Sequence, residues 1–564
     1  MKVYRPILVA LAILVGLLAS NQLISSWTKP QVQSQLNLYQ SDLVLSASEW
    51  KVLDREVRGE TSLQKSFLGE NPIEDAIKSY KTVRVSAQKE VGQLDPGATK
   101  PSKPTARSTP DANELPKTNV EMESGAPIAR SPQNTQGQLV DALDLRLGLL
   151  YSKAGESDKA LQTWTELAAR PKAQASTQKI VPTAQVLLGL WSDPPRLLPN
   201  AEAILNKNLN GWFRVQALSK LYSLQQRPDA ALELETAAQN TARSAFFRLL
   251  VVGAMPVLGS IVGAAILLIW GIRTVFKREK PVEFDSPSTS AAKVAPLAEA
   301  SSTETAIAAR SEPILDSGTG AVKTLPGSVS WPTETIWQVM VLWFSAFFGV
   351  SYILVPTAVA VLGLKPETFD GRLQAYFSLF TYGCLMGVGF GILQLSLQPY
   401  IPNVLRWLRL KWEGNWLAWG VGGYFAALPL VLIVSLLNQK LLKEQGGGNP
   451  ILEIILQGRD KFTIALLWFL VAVCAPLLEE TLFRGFFLTS LARYMPVWQA
   501  IALSGVVFAL AHFTLGDVLP LSLLGVVLGV VYWRSRNLLA SMLLHSLWNS
   551  GSFIGLLVLG SGGN

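Results

Sequence analysis

The chain has 564 residues, 49% of them apolar and only 16% charged, with a formal net charge of +8. Charge this sparse, below the roughly 25% usual in soluble domains, points to a membrane protein of two or three domains. Nucleic-acid binding is set aside, because no basic cluster is interleaved with aromatics. A disulfide framework is set aside too, because Cys384 and Cys474 both lie inside apolar runs.

Lys2 and Arg5 precede an apolar stretch from Ile7 to Ile24 that is long enough to span a bilayer. Leu18-Ala19-Ser20 faintly resembles a signal-peptidase site, but a retained anchor over 1–27 is the preferred reading. In either case the segment that follows is exported. Residues 28–94 and 137–245 are polar with helical patterning, and 95–136, rich in Pro, Ser, Thr, Gly and Asn, reads as a disordered linker. Leu147, Gly148, Tyr151, Gly155, Ala160 and Trp164 resemble a tetratricopeptide repeat, in which small residues let antiparallel helices approach and large ones fill the gap. A weaker copy runs through Leu218, Tyr222, Ala231 and Ala238. An ordinary helical hairpin domain is the competing reading; a repeat implies a protein partner on the non-cytoplasmic side.

A transmembrane helix is expected over 246–272, and Arg273, Lys277, Arg278 and Lys280 after it assign that end to the cytoplasm. Residues 273–331 read as a disordered cytoplasmic linker, and 332–564 as a polytopic domain. Its apolar runs fall near 334–362, 373–398, 416–437, 462–491, 497–514, 517–533 and 538–559. The fold class expected is all-α: a transmembrane helical bundle with an exported N-terminal helical domain. Arg406, Arg409 and Lys411, then Arg493, then Arg534 and Arg536 lie at ends that alternation gives to the cytoplasm. Lys440, Lys443, Arg459 and Lys461 run against that scheme.

Ionisable side chains inside hydrocarbon are costly unless paired, so a cluster of them marks function by default. Here it comprises Glu479, Glu480 and Arg484 in LLEETLFRGF, His512 in FALAHF, and His545 with Asn549 in LLHSLWNS. Glu480 and Arg484 stand i, i+4 with the acid first, the order that favours an ion pair. Glu479 is turned about 100° away and is free to face a polar cavity. Pro476, one turn earlier, predicts a kink beside it. His545 and Asn549 share one helix face. Counted from the cytoplasmic ends, Glu479 and His512 lie roughly 21–22 Å deep, His545 about 12 Å and Asn549 about 18 Å, so one bundle can bring all four together.

A carboxylate beside an imidazole can take a proton from water, and an imidazole with an amide can donate to a developing oxyanion. No serine or cysteine nucleophile is required. A catalytically silent binding scaffold, or a proton relay in a transporter, would use the same residue types.

EETLFR, FALAH and HSLWN resemble the EExxxR, FxxxH and HxxxN boxes of the CPBP (CAAX protease and bacteriocin-processing) family, in that family's order and over roughly residues 460–555. The resemblance implies that Glu479 and His512 activate water and that His545 and Asn549 form the oxyanion hole. Glu480, Arg484 and Phe508 would support them. Type II CAAX prenyl endopeptidases belong to this family, but the first 330 residues lie outside the match, so a prenylated substrate does not transfer automatically. No cofactor is expected; zinc stays open, with Glu479, His512 and His545 as its ligands, although HExxH is missing and an amide is a poor zinc ligand.

Overall fold

The computed structural model describes residues 4–27, 32–51, 68–94, 132–170, 177–276, 331–401, 408, 410–442 and 460–560. The two expected linkers fall almost wholly outside them, as do Lys277, Arg278, Lys280, Arg406, Arg409, Lys443 and Arg459. All regular structure among the described residues is helical.

The N-terminal domain consists of α2 (Val32–Ser48), α3 (Pro72–Leu94), α4 (Pro132–Lys153), α5 (Ser157–Ala168), α6 (Thr177–Trp191), α7 (Ala201–Asn208) and α8 (Gly211–Leu224). Helix α4 begins at Pro132, inside the stretch read from the sequence as linker. Its core is apolar and aromatic, with Tyr80, Leu147, Trp164, Leu205 and Phe213 all buried. Gly148 is required where α4 meets α5: a Cβ there would stand 2.2 Å from the Trp164 indole nitrogen. That nitrogen donates to Leu145 O at 3.2 Å. Gly155, at φ +83, turns the chain between the two helices, the left-handed position that favours glycine after a helix.

Helix α9 (Pro228–Phe276) carries the chain from this domain into the bundle without a break. The sequence suggested a boundary near 245. Instead Ala245 and Leu249 pack together against Leu43 and Ala47 of α2, so the join is itself a buried contact and the helix runs through it. Deeper along α9, a Cβ on Gly263 would lie 1.8 Å from Phe425 O. Small residues commonly allow such backbone approach between membrane helices.

Among the described residues eight helices are long and apolar enough to cross a membrane, which makes this an integral multi-pass protein. They are α1 (Tyr4–Trp27), α9, α10 (Thr333–Val361), α11 (Gly371–Leu397), α12 (Trp416–Leu442), α13 (Lys461–Leu491), α15 (Val518–Ser535, entered by a short 3-10 turn) and α16 (Leu538–Gly560). The remaining apolar run, 497–514, is shorter than a span. Helix α14 (Val497–Leu510) has 14 residues, roughly 21 Å against about 30 Å of hydrocarbon.

Polar contacts sort the helix ends onto two faces. On one, Arg5 pairs with Glu334 at 3.4 Å, Arg493 donates to Trp331 O, and Arg534 lies over the Trp270 ring. On the other, Leu515 N donates to Ser26 Oγ at 3.0 Å, and Arg372 forms two bonds with Asp460. Helix α2 packs on this second face, its Leu36 and Tyr39 against Phe553 and Leu556 of α16.

Candidate active site

Pro476 lies in the middle of α13. It has no N–H, so neither Val471 O nor Ala472 O receives a bond from it. A π turn at Leu470–Cys474 precedes it, and Ala475 N reaches back to Leu470 O. The two released carbonyls are taken up by α16: Ser546 Oγ donates to Ala472 O at 2.6 Å, and Asn549 Nδ2 to Val471 O at 2.9 Å. A second π segment, Thr481–Leu488, follows at once. Single π turns are frequent where a helix carries functional side chains, and here two bracket Glu479 and Glu480.

The Glu480–Arg484 pair is present and fully buried, at 2.7 Å. It has further members. Glu480 Oε1 also accepts from His545 Nδ1 at 2.9 Å, Arg484 Nη2 donates to Gly525 O at 3.0 Å, and the guanidinium sits 4.5 Å from the Phe508 ring centre. The Phe508 ring also touches both histidines edge-on, at 5.0 Å from His512 and 5.7 Å from His545. Phe508 is thus the apolar hub of the cluster.

With Nδ1 committed to a carboxylate, His545 directs Nε2 toward Glu479, 3.9 Å from Oε2. That oxygen is shielded from solvent and has no hydrogen-bond partner. The shared face of His545 and Asn549 expected from their spacing is therefore divided in use: His545 binds Glu480, while Asn549 spends one amide hydrogen on α13 backbone.

His512 also differs from expectation. It lies beyond the end of α14, in a turn, and not within a helix; its Nδ1 is 2.9 Å from Phe508 O. A carbonyl only accepts, so Nδ1 carries a hydrogen, and in the neutral ring the lone pair is on Nε2. Phe513 follows with φ +54, then a short 3-10 turn at Leu515–Asp517. Irregular backbone survives within a membrane domain only when its polar groups are satisfied by protein or cavity. Here Ser26 accepts from Leu515 N and Asn438 Nδ2 donates to Gly516 O at 2.6 Å.

Glu479, His512, His545 and Asn549 all line one cavity of about 550 Å³, walled largely by apolar and aromatic side chains of α10, α11 and α16. Further polar groups that the sequence reading missed also line it, among them Tyr382, Thr514, Asp517 and Ser552. Tyr382 of α11 donates to Glu479 Oε1 at 3.5 Å, and Asp517 accepts from Thr514 at 2.8 Å. Nothing in the pattern separates Tyr382 from an interface tyrosine, and Asp517 reads as the start of a span.

Among the described residues no three His, Cys, Asp or Glu side chains stand together as metal ligands. Glu479, His512 and His545 as arranged do not fit a metal ion, and no step is derived through one.

The all-α membrane bundle thus gathers two carboxylates and two imidazoles at one cavity, with Glu480 and His545 buried and Glu479 and His512 more open. Residues 461–551 match the family model described as Type II CAAX prenyl endopeptidase Rce1-like, which supports the resemblance of this part of the chain to the CAAX-protease (CPBP) family. No curated protein and no solved structure matches the chain.

Proposed function

We propose that the protein is an intramembrane endopeptidase that hydrolyses a peptide bond of a membrane-associated protein or peptide. The observation that carries this reading is the unpartnered Glu479 Oε2, 3.9 Å from His545 Nε2 on the wall of a cavity shared with His512. A water held there would give a proton to Glu479, with the His512 Nε2 lone pair orienting it, and its oxygen would add to the scissile carbonyl carbon. The oxyanion would accept from the remaining Asn549 amide hydrogen and from His545 Nε2. The second donation requires His545 to be an imidazolium, since Nδ1 already donates to Glu480. Glu479 then passes its proton to the departing amine, and the proton count closes.

Glu480, Arg484 and Phe508 have a supporting role in this scheme: they fix the His545 ring. The reaction is proposed to need no metal, so activity should survive strong chelation. We assign the N-terminal domain to the non-cytoplasmic side, because the opposite face of the bundle carries Arg5, Arg493 and Arg534. Its close-packed helical hairpins fit a repeat-like surface for a protein partner. The competing reading, a silent scaffold on the same fold, draws on the mutual bonding of Glu480, Arg484 and His545, which a structural network would also display.

Glu479→Gln separates the two. Membrane peptides should accumulate uncleaved in cells carrying the variant, at unchanged protein level and melting temperature, when N-terminal peptide profiles are compared with those of the parent. Identical profiles would leave the scaffold reading standing.

A further inference from the structure

We infer that Tyr382 is a positioning residue of the hydrolytic site: its hydroxyl holds Glu479 by Oε1 and so assigns Oε2 as the oxygen that takes the proton from water. The inference rests on the hydrolase reading above and deepens it. Tyr382 comes from α11, outside the segment that matches the family model.

Three observations carry it. The two oxygens of Glu479 have different surroundings: Oε1 accepts from Tyr382 Oη at 3.5 Å, whereas Oε2 has no hydrogen-bond partner and faces His545 Nε2. Two other donors nearby are turned elsewhere: Arg484 binds Glu480 and Gly525 O, and Asn549 gives one amide hydrogen to Val471 O. Finally, α11 stands against this part of α13, where a Cβ on Gly389 would lie 3.1 Å from Leu478, the residue before Glu479. A phenol on that wall has a fixed line of approach to the carboxylate. A free carboxylate on a single helix would rotate and offer either oxygen; a donor on one oxygen removes that ambiguity. The bond is long, as hydrogen bonds of catalytic groups often are before substrate tightens them.

The test uses the full-length protein in liposomes and a peptide whose cleavage disappears in Glu479→Gln. Tyr382→Phe keeps the ring and removes only the hydroxyl. It should lower kcat about tenfold, the low end for a hydrogen bond to a charged group, with KM and melting temperature unchanged. Placing 4-aminophenylalanine at 382 restores a donor on the same ring and should recover most of kcat. Full activity in Tyr382→Phe, or a slow variant that 4-aminophenylalanine does not rescue, overturns the inference. In both cases an inactive Glu479→Gln leaves the hydrolase reading intact. Activity in Glu479→Gln would remove that reading and this one with it.

Discussion

The N-terminal domain and the membrane bundle handle charge in opposite ways. In the former, Arg227 meets Glu202 at 2.8 Å with both side chains more than 40% exposed. Water stands ready to replace either partner, so such a pair adds little to stability. In the latter, Glu480, Arg484 and His545 are sealed from solvent and each is bonded to another. No water can substitute there, so each charge depends on its partners within the network. What sets the neighbouring Glu479 apart is its place: it lines the cavity with an unpartnered oxygen, whereas Glu480, whose Oε2 is unpartnered too, lies inside the network.

Breaking each pair tests the contrast, and the largest effect should come from the buried one. Arg484→Met removes the cation and leaves Glu480 charged in a dry interior, which typically destabilises by about 3–5 kcal/mol. Thermal unfolding in detergent should show a large fall in melting temperature or loss of folded protein. Arg227→Ala, measured in the same way, should not move the transition detectably. Equal responses would mean that the bundle interior is wetter than its packing indicates.

The next effect concerns backbone approach. Gly263 faces a carbonyl oxygen of α12, whereas Gly148 faces the Trp164 side chain. Gly263→Ala should destabilise by about 1–3 kcal/mol, the usual range for overpacking, because two helix backbones must separate. Gly148→Ala should cost less, since the indole can shift. A larger loss at Gly148 would place the more rigid joint in the N-terminal domain.

The all-α bundle and the convergence of Glu479, His512, His545 and Asn549 on one cavity were legible in the sequence, because charge inside apolar runs is conspicuous and helical spacing fixes direction. The Glu480–Arg484 pair was legible for the same reason. What spacing could not convey was the partner across helices. His545 turning to Glu480, and Asn549 reaching a carbonyl released by Pro476, depend on how α16 rotates against α13. The π turns were hidden because only the expected kink, and not its form, follows from a proline. His512 was read as helical because FALAHF continues an apolar run; the helix ends at Leu510 because Ser26 and Asn438, distant in sequence, satisfy the turn. Tyr382 was invisible for want of any charge beside it.

A small but measurable effect lies where the two regimes meet, at the watery start of α13. Asp460 caps the helix by accepting from Thr463 N at 3.0 Å and pairs with Arg372 on α11. The Arg372 guanidinium, and then the Thr463 bonds, hold its carboxyl well below the usual carboxylate range. A carboxyl lowered in the folded state binds fewer protons there than when unfolded, so its contribution is complete above the ordinary carboxylate value and disappears as pH falls through the folded one. Asp460→Ala should therefore lower the melting temperature slightly at neutral pH. The gap from the parent should persist to about pH 4 and then narrow as the solution is made more acidic. Salt should shrink the Arg372 part and leave the cap. A gap independent of pH down to strong acid would show that Asp460 acts there by shape alone, and that the charge economy of the N-terminal domain does not extend to this helix end.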